Sequence, residues 1–213
     1  MKTTSKLLLS GLIALALLAD SRAQVTSFTN RTNFLNALTA SNYTENFSAI
    51  TIGGTGFQGP ANFSGNGFTF TANNSIQGNG LYGEQLNSTN VLTLGGNFTD
   101  GSLIFTFSTN TYALGGYFFI GNPGVLSANV TLALTLSNAT PINLTTNVSS
   151  LANAYFGWTT GTNRILSMTI SSPAAGWASA AEMTVGVPEP STYALLGMAA
   201  AGLAGYALRR RRR

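Results

Sequence analysis

Neither cysteine nor histidine occurs in the 213 residues, and only 8% of them carry a charge. Each absence removes a class of chemistry. Without cysteine no disulfide can form and no thiolate can act as a nucleophile. Without histidine there is no Ser-His-Asp triad and no imidazole-bound zinc. The only lysines are Lys2 and Lys6, so a Ser-Lys pair is unavailable to the body of the chain. The formal net charge of +4 is an end effect. Apart from Arg31 and Arg164, every cation lies at Lys2, Lys6, Arg22 or Arg209 to Arg213. Between residues 24 and 186, those two arginines face Glu45, Glu84, Asp100 and Glu182, a balance of −2. So mildly acidic a domain has no footprint for nucleic acid. Glycoside hydrolysis needs two carboxyl groups in separate roles. Nothing in the spacing pairs these four acids, which points away from an enzyme.

What is present falls into three parts. Residues 1–23 read as a signal peptide. Lys2 and Lys6 form a basic start, Leu7 to Ala19 an apolar run, and Ser21-Arg22-Ala23 a small-residue cleavage site. Cleavage between Ala23 and Gln24 is expected, because the run is too short and too interrupted for a stable span.

The chain ends on a different instruction, over residues 187–213. Pro188-Glu189-Pro190 is followed by Ser191-Thr192, by an uncharged run from Tyr193 to Leu208, and by Arg209, Arg210, Arg211, Arg212 and Arg213. The two prolines fix φ and remove two backbone donors, so this stretch is expected to be extended and exposed. Residues 193–208 predict a transmembrane helix of roughly 24 Å, short for a hydrocarbon core of about 30 Å. The arginines cannot cross that core and stay cytoplasmic, which leaves everything before the motif on the far side.

Triplet, helix and terminal basic cluster together resemble the PEP-CTERM sorting signal of bacterial proteins handled by exosortases. The resemblance covers the tail. It implies that a membrane-embedded, transpeptidase-like cysteine enzyme cuts at or near the motif. It also implies secretion across the inner membrane, a transient anchor, and then delivery to the cell surface or extracellular matrix. On this reading Pro188, Glu189 and Pro190 are the recognition element and the five arginines set topology and retention.

Residues 24–186 are about one domain's worth of chain. Asn30 to Ala40, with Phe34, Leu35 and Leu38 on one side, predicts a short helix with an Asn cap. Ten strands are then expected: 43–47, 67–72, 91–94, 102–108, 112–120, 128–136, 142–148, 154–158, 164–171 and 182–185. Several alternate: Phe68 and Phe70 against Thr69 and Thr71; Leu103, Phe105 and Phe107 against Ile104 and Thr106; Leu166, Met168 and Ile170 against Ile165, Ser167 and Thr169. One apolar face per strand implies antiparallel sheets over a shared core. The fold class expected is all-β, a jelly-roll-like antiparallel sandwich with one short N-terminal helix; a closed barrel is the alternative. The stretches 53–67 and 77–83 read as Gly/Asn-rich loops. Gly53-Gly54-Thr55-Gly56 lacks the Lys-Ser/Thr of a phosphate loop and reads as a turn.

Element order also resembles, loosely, the lectin-like or carbohydrate-binding sandwiches that precede such tails. The matching stretches are Glu45-Asn46-Phe47, Ala113 to Phe118, Phe156-Gly157-Trp158, and Glu182 to Val185. This resemblance implies a shared structural Ca²⁺ between Glu45 and Glu182. No other cofactor is expected. Calcium takes six to eight oxygens, which two carboxylates and backbone carbonyls can supply. Glu182 stands where such domains commonly carry aspartate.

Eleven Asn-x-Ser/Thr triplets, from Asn30 to Asn147, give an uncharged polar coat suited to a polysaccharide matrix. Two functions fit these observations. One is a non-enzymatic surface or exopolysaccharide-associated matrix protein. The other is a carbohydrate-binding module on the same export route, for which Tyr82, Trp158 and Trp177 are the candidate stacking rings, although core packing is the commoner fate of a strand aromatic.

Overall fold

The structure, a computed structural model, describes residues 25–189 except 52–58, 77–79, 87, 95–100, 109, 123–124, 127 and 172–175, and also Gly202. The expectations for the signal peptide with Ala23 and Gln24, for Pro190, for the apolar run as a helix, and for Arg209 to Arg213 lie outside the described residues. So do the turn at 53–56 and Asp100. Among the described residues, no helix is long and apolar enough to cross a membrane.

Strands β1 (Thr26–Phe28) and β2 (Leu38–Glu45) flank helix α1 (Arg31–Asn36). Then come β3 (Ala61–Gly65), β4 (Phe68–Asn74), β5 (Leu81–Leu86), β6 (Thr89–Leu94) and β7 (Leu103–Phe107). They are followed by β8 (Ala113–Asn122), β9 (Val125–Leu126), β10 (Ala128–Leu136) and β11 (Pro141–Val148). The last three are β12 (Tyr155–Thr159), β13 (Ile165–Ser171) and β14 (Trp177–Pro188). One sheet runs β1-β12-β8-β14-β6-β5, with β2 also pairing β14 and β9 pairing β8. The other runs β11-β10-β13-β7-β4-β3. The described pairings are antiparallel. The expected all-β, jelly-roll-like sandwich is therefore what the chain forms.

The core lies between the sheets. Phe70, Phe105, Leu132 and Ile170 from one sheet meet Leu92, Leu114, Phe118 and Met183 from the other, all fully buried or nearly so. The alternating faces of β4, β7 and β10 supply these residues as expected. β13 departs from expectation at its start. Its register against β10 shifts between Thr135 and Leu136, which turns Ile165 inward and leaves Leu166 36% exposed. The shift is a β-bulge, and a bulge reverses the alternation beyond it.

A second, smaller core covers the outer face of the first sheet. Phe34 of α1 is buried there with Leu38, Ala113 and Tyr155. It sits over the paired glycines Gly115 and Gly157. A Cβ at either glycine would come within 2.7 Å of the Phe34 ring, so only glycine leaves this slot open. Asn30 caps α1 as expected, its side-chain oxygen accepting the Asn33 N–H at 3.0 Å. The helix stops at Asn36, however, and Leu38 already belongs to a strand. The helical spacing of Phe34, Leu35 and Leu38 is overridden because β2 finds a partner in β14, at the far end of the sequence. β14 itself begins at Trp177, well before the expected 182. β1, β3, β5 and β9 are strands beyond the ten expected; β3 and the start of β5 fall in the stretches expected to be Gly/Asn-rich loops.

Candidate functional site

Two regions of the structure hold sequence-selected residues: the C-terminal end of β14, and the outer face of the sheet to which it belongs. β14 lies inside that sheet, so both of its edges are paired. Its first half joins β6 through Ser179 and Ala180; its second half joins β2 from Met183 to Pro188. Between the halves the register against β8 shifts, and Glu182 takes a positive φ of 43°.

The strand does not stop at Gly186. Gly186 is gripped from both sides: its carbonyl accepts the Tyr112 N–H at 3.0 Å, and an added Cβ would sit 3.0 Å from the Asn42 Cβ. The Val187 carbonyl accepts the Thr39 hydroxyl at 3.2 Å. Pro188 stands opposite Leu38, and the Glu189 N–H donates to the Ala37 carbonyl at 3.0 Å. Here β2 bulges over Thr39 to Ser41, closed by Asn42 Nδ2 donating to the Thr39 carbonyl at 2.9 Å. Proline lacks a donor and suits a strand end beside a bulge. Pro188 and Glu189 are therefore extended, as expected. They are not free of the domain: Pro188 is half-buried and the Glu189 backbone is bound, although its side chain is exposed. No local pattern in the sequence marks Ala37 or Thr39, because their partners Glu189 and Val187 lie at the far end of the sequence, 148 residues away in the case of Thr39.

The two carboxylates expected to share calcium are not brought together. Glu45 Oε1 accepts the Phe47 N–H at 2.7 Å, and Oε2 accepts the Tyr43 hydroxyl. Tyr43 packs across the sandwich on Phe70, with ring centroids 6.2 Å apart, so this alternate set of β2 side chains faces the interior. Burial pushes the Tyr43 phenol up to about 12, helped by the hydrogen bond to Glu45 and by its charge. Glu182 instead pairs with Arg31 Nε at 3.0 Å, at the start of α1 on the outer face. Both members of the pair are more than a third exposed, so it is worth roughly 1 kcal/mol or less. Beside it, burial holds the Tyr155 hydroxyl well above the usual phenol range; Arg31 opposes that shift and Tyr117 and Glu182 reinforce it. The bulge at Glu182 is the cause of the separation. It turns Met183, the register partner of Glu45, into the core and Glu182 to the other face. The pair does not fit one shared ion. Among the described residues, no cluster of three or more acidic side chains could hold a metal.

The three candidate stacking rings also separate. Trp158 is 3% exposed and stacks in the core on Phe118 and Phe156. It is packing, not a binding surface. Tyr82 and Trp177 are half-buried and share the outer face of the first sheet. Tyr82 pairs with Thr93, Thr93 pairs with Ser179, and Ser179 follows Trp177 by two residues. The Thr93 and Ser179 hydroxyls hydrogen-bond at 2.6 Å between the two rings. Strand spacing puts the two α-carbons about 12 Å apart.

Residues 186–213 match the family model of the PEP-CTERM protein-sorting motif. No curated protein matches the chain. Among solved structures, the chain is similar to the family 11 carbohydrate-binding module of a cellulosomal cellulase of Clostridium thermocellum. That similarity has 12% identity and a TM-score of 0.30, over 66% of this chain and 99% of the module. The sorting-motif reading of the tail is borne out. The match begins at Gly186, the residue where Tyr112 and Asn42 grip β14.

Proposed function

We propose that the sandwich of this exported, exosortase-targeted chain is a non-enzymatic component of the cell surface or of an exopolysaccharide matrix. The sorting motif at residues 186–213 is the observation that carries the route. The enzyme removes the anchor after export and releases the ectodomain outward. Support for a structural role comes from the chemistry that composition excludes. It also comes from the carboxylates: Glu45 is committed to Tyr43 and Phe47, and Glu182 to Arg31. Polysaccharide of the matrix is the partner that an uncharged Asn/Thr surface suits; nucleic acid is not.

The test is a precursor in which Pro188 and Pro190 are both alanine. The arginines still lock topology, but the extended conformation is no longer preset. The variant should stay uncut in the membrane. If it matures and reaches the exterior as efficiently as the wild type, a general protease is cutting a plain anchor.

One observation favours a second reading, carbohydrate binding. Tyr82 and Trp177, both partly exposed, share a face on either side of the buried Thr93–Ser179 hydroxyl pair, which holds their strands together. Sugar rings stack on aromatic faces, and about 12 Å between the α-carbons suits two units of a chain ligand rather than one sugar.

A further inference from the structure

We propose that Ala37 to Thr39 form a docking ledge for the sorting motif, and that the sorting enzyme gains its substrate segment only after Val187 to Glu189 peel from that ledge. The inference rests on the sorting reading above and adds a gate to it.

The ledge uses the groups that a processing enzyme would need. A protease or transpeptidase that takes an extended segment reads it through backbone N–H and C=O groups, as in strand addition. Here the Glu189 N–H is already given to the Ala37 carbonyl, and the Val187 carbonyl already accepts the Thr39 hydroxyl. Pro188 is seated opposite Leu38 between them. An N–H has one proton to give, so the Glu189 amide cannot serve the ledge and an enzyme together.

Distance leads to the same conclusion. Only Pro190, Ser191 and Thr192 separate Glu189 from the apolar run that starts at Tyr193. Fully extended, they span roughly 10 Å. With the ledge occupied, the folded sandwich therefore stands against the membrane surface and leaves no free chain upstream of the motif. Peeling three residues lengthens the free segment and vacates the backbone groups. The peel has a natural stop. Gly186 is held by Tyr112 on one side and packed on Asn42 on the other. The end of a strand, held by a few contacts, belongs to the low-energy class of local openings.

The test uses the full precursor in a host that carries its exosortase, followed by pulse-chase conversion to the mature form. Thr39→Val removes one hydroxyl donor without changing shape. The loss of one ordinary hydrogen bond shifts the docked–free balance about fivefold, so conversion should quicken by about that factor. A six-residue Gly/Ser spacer between Val187 and Pro188 frees the motif from the ledge and leaves the sandwich intact; it should convert at least as fast as Thr39→Val. If both variants convert at the wild-type rate or slower, the enzyme takes the motif in place and the gate is wrong. Hydrogen exchange on the intact precursor reads the ledge directly. The Glu189 amide should be protected in the wild type and about fivefold less so in Thr39→Val; an unprotected wild-type amide overturns the docking. A strain lacking the exosortase separates the two levels. If wild-type precursor matures there, the sorting reading falls, while the exchange result still reports on the ledge.

Discussion

Replacing Phe34 by alanine removes the ring that fastens α1 to the outer face of the sandwich. Phe34 is fully buried, meets Phe28 edge-on at 5.7 Å and Tyr155 at 6.1 Å, and fills the slot over Gly115 and Gly157. A buried Phe→Ala change costs about 3–5 kcal/mol, made of lost transfer energy and a residual cavity. Helix α1 is six residues long and cannot stand on its own propensity, so little else holds it. The exposed Arg31–Glu182 pair contributes at most about 1 kcal/mol. Per kcal/mol, a domain of this size loses about 2–4 °C of melting temperature. On a fragment of residues 24–189, Phe34→Ala should therefore melt roughly 6–20 °C lower, and Arg31→Ala only a few degrees lower. The slot supplies a sharper control. Gly157→Ala places a Cβ 2.7 Å from the Phe34 ring and should cost about 1–3 kcal/mol in the wild type. In the Phe34→Ala background that Cβ has room, so most of the cost should vanish. Thermal and denaturant melts of the four proteins close this cycle. Equal costs for Gly157→Ala in both backgrounds, or a Phe34→Ala cost no larger than that of Arg31→Ala, would refute the slot.

Three further outcomes follow from the site geometry. Tyr43 is raised to about 12, above the usual phenol value near 10, so its neutral form is favoured by folding. That stability is fully present below about pH 10 and is lost as the pH rises towards 12. Tyr43→Phe should shallow the stability loss across that window in ultraviolet-monitored alkaline titration, with Tyr155 supplying what remains; an unchanged slope contradicts the assignment. Glu45→Gln and Glu182→Gln should be additive to within about 0.5 kcal/mol, because the two carboxylates serve opposite faces of the sheet. A coupling beyond that, appearing only with added calcium, would restore a shared ion. Tyr82→Ala with Trp177→Ala should abolish polysaccharide retention in affinity electrophoresis, whereas Trp158→Ala should lower the melting temperature by unpacking the core; retention surviving the double change ends the stacking reading.

Sandwich strands were legible where one face is purely apolar. Leu103, Phe105 and Phe107, or Val130 to Leu136, specify orientation locally because period-two burial is a property of the strand itself. The Asn30 cap was legible for the same reason: donor and acceptor are three residues apart. What could not be read depends on distant partners. Phe34, Leu35 and Leu38 follow a helical spacing, yet Leu38 pairs with Pro188 at the far end of the sequence, and that pairing decides. Ile165 and Leu166 exchange faces because of a bulge set against β10. Glu182 leaves Glu45 for the same kind of reason, a one-residue insertion in β14 opposite β8. Trp158 closes an expected strand, and which face it takes depends on neighbours that the local sequence does not show: β12 lies between β1 and β8 and buries the ring. The sorting motif was plain from its order of parts. Its attachment to Ala37 and Thr39 was not, since neither residue type announces a ledge.

Export of this chain followed by cleavage at its tail by a sorting enzyme would change both of its termini. Mass spectrometry of both termini of the protein recovered from its native host tests this most directly. The expected product is a mature chain that begins at Gln24 and has lost residues 193–213, with the new C-terminus at or near Pro188-Glu189-Pro190 and dependent on the exosortase. A protein that ends at Arg213 outside the cell, or one trimmed identically when the exosortase is absent, would contradict it.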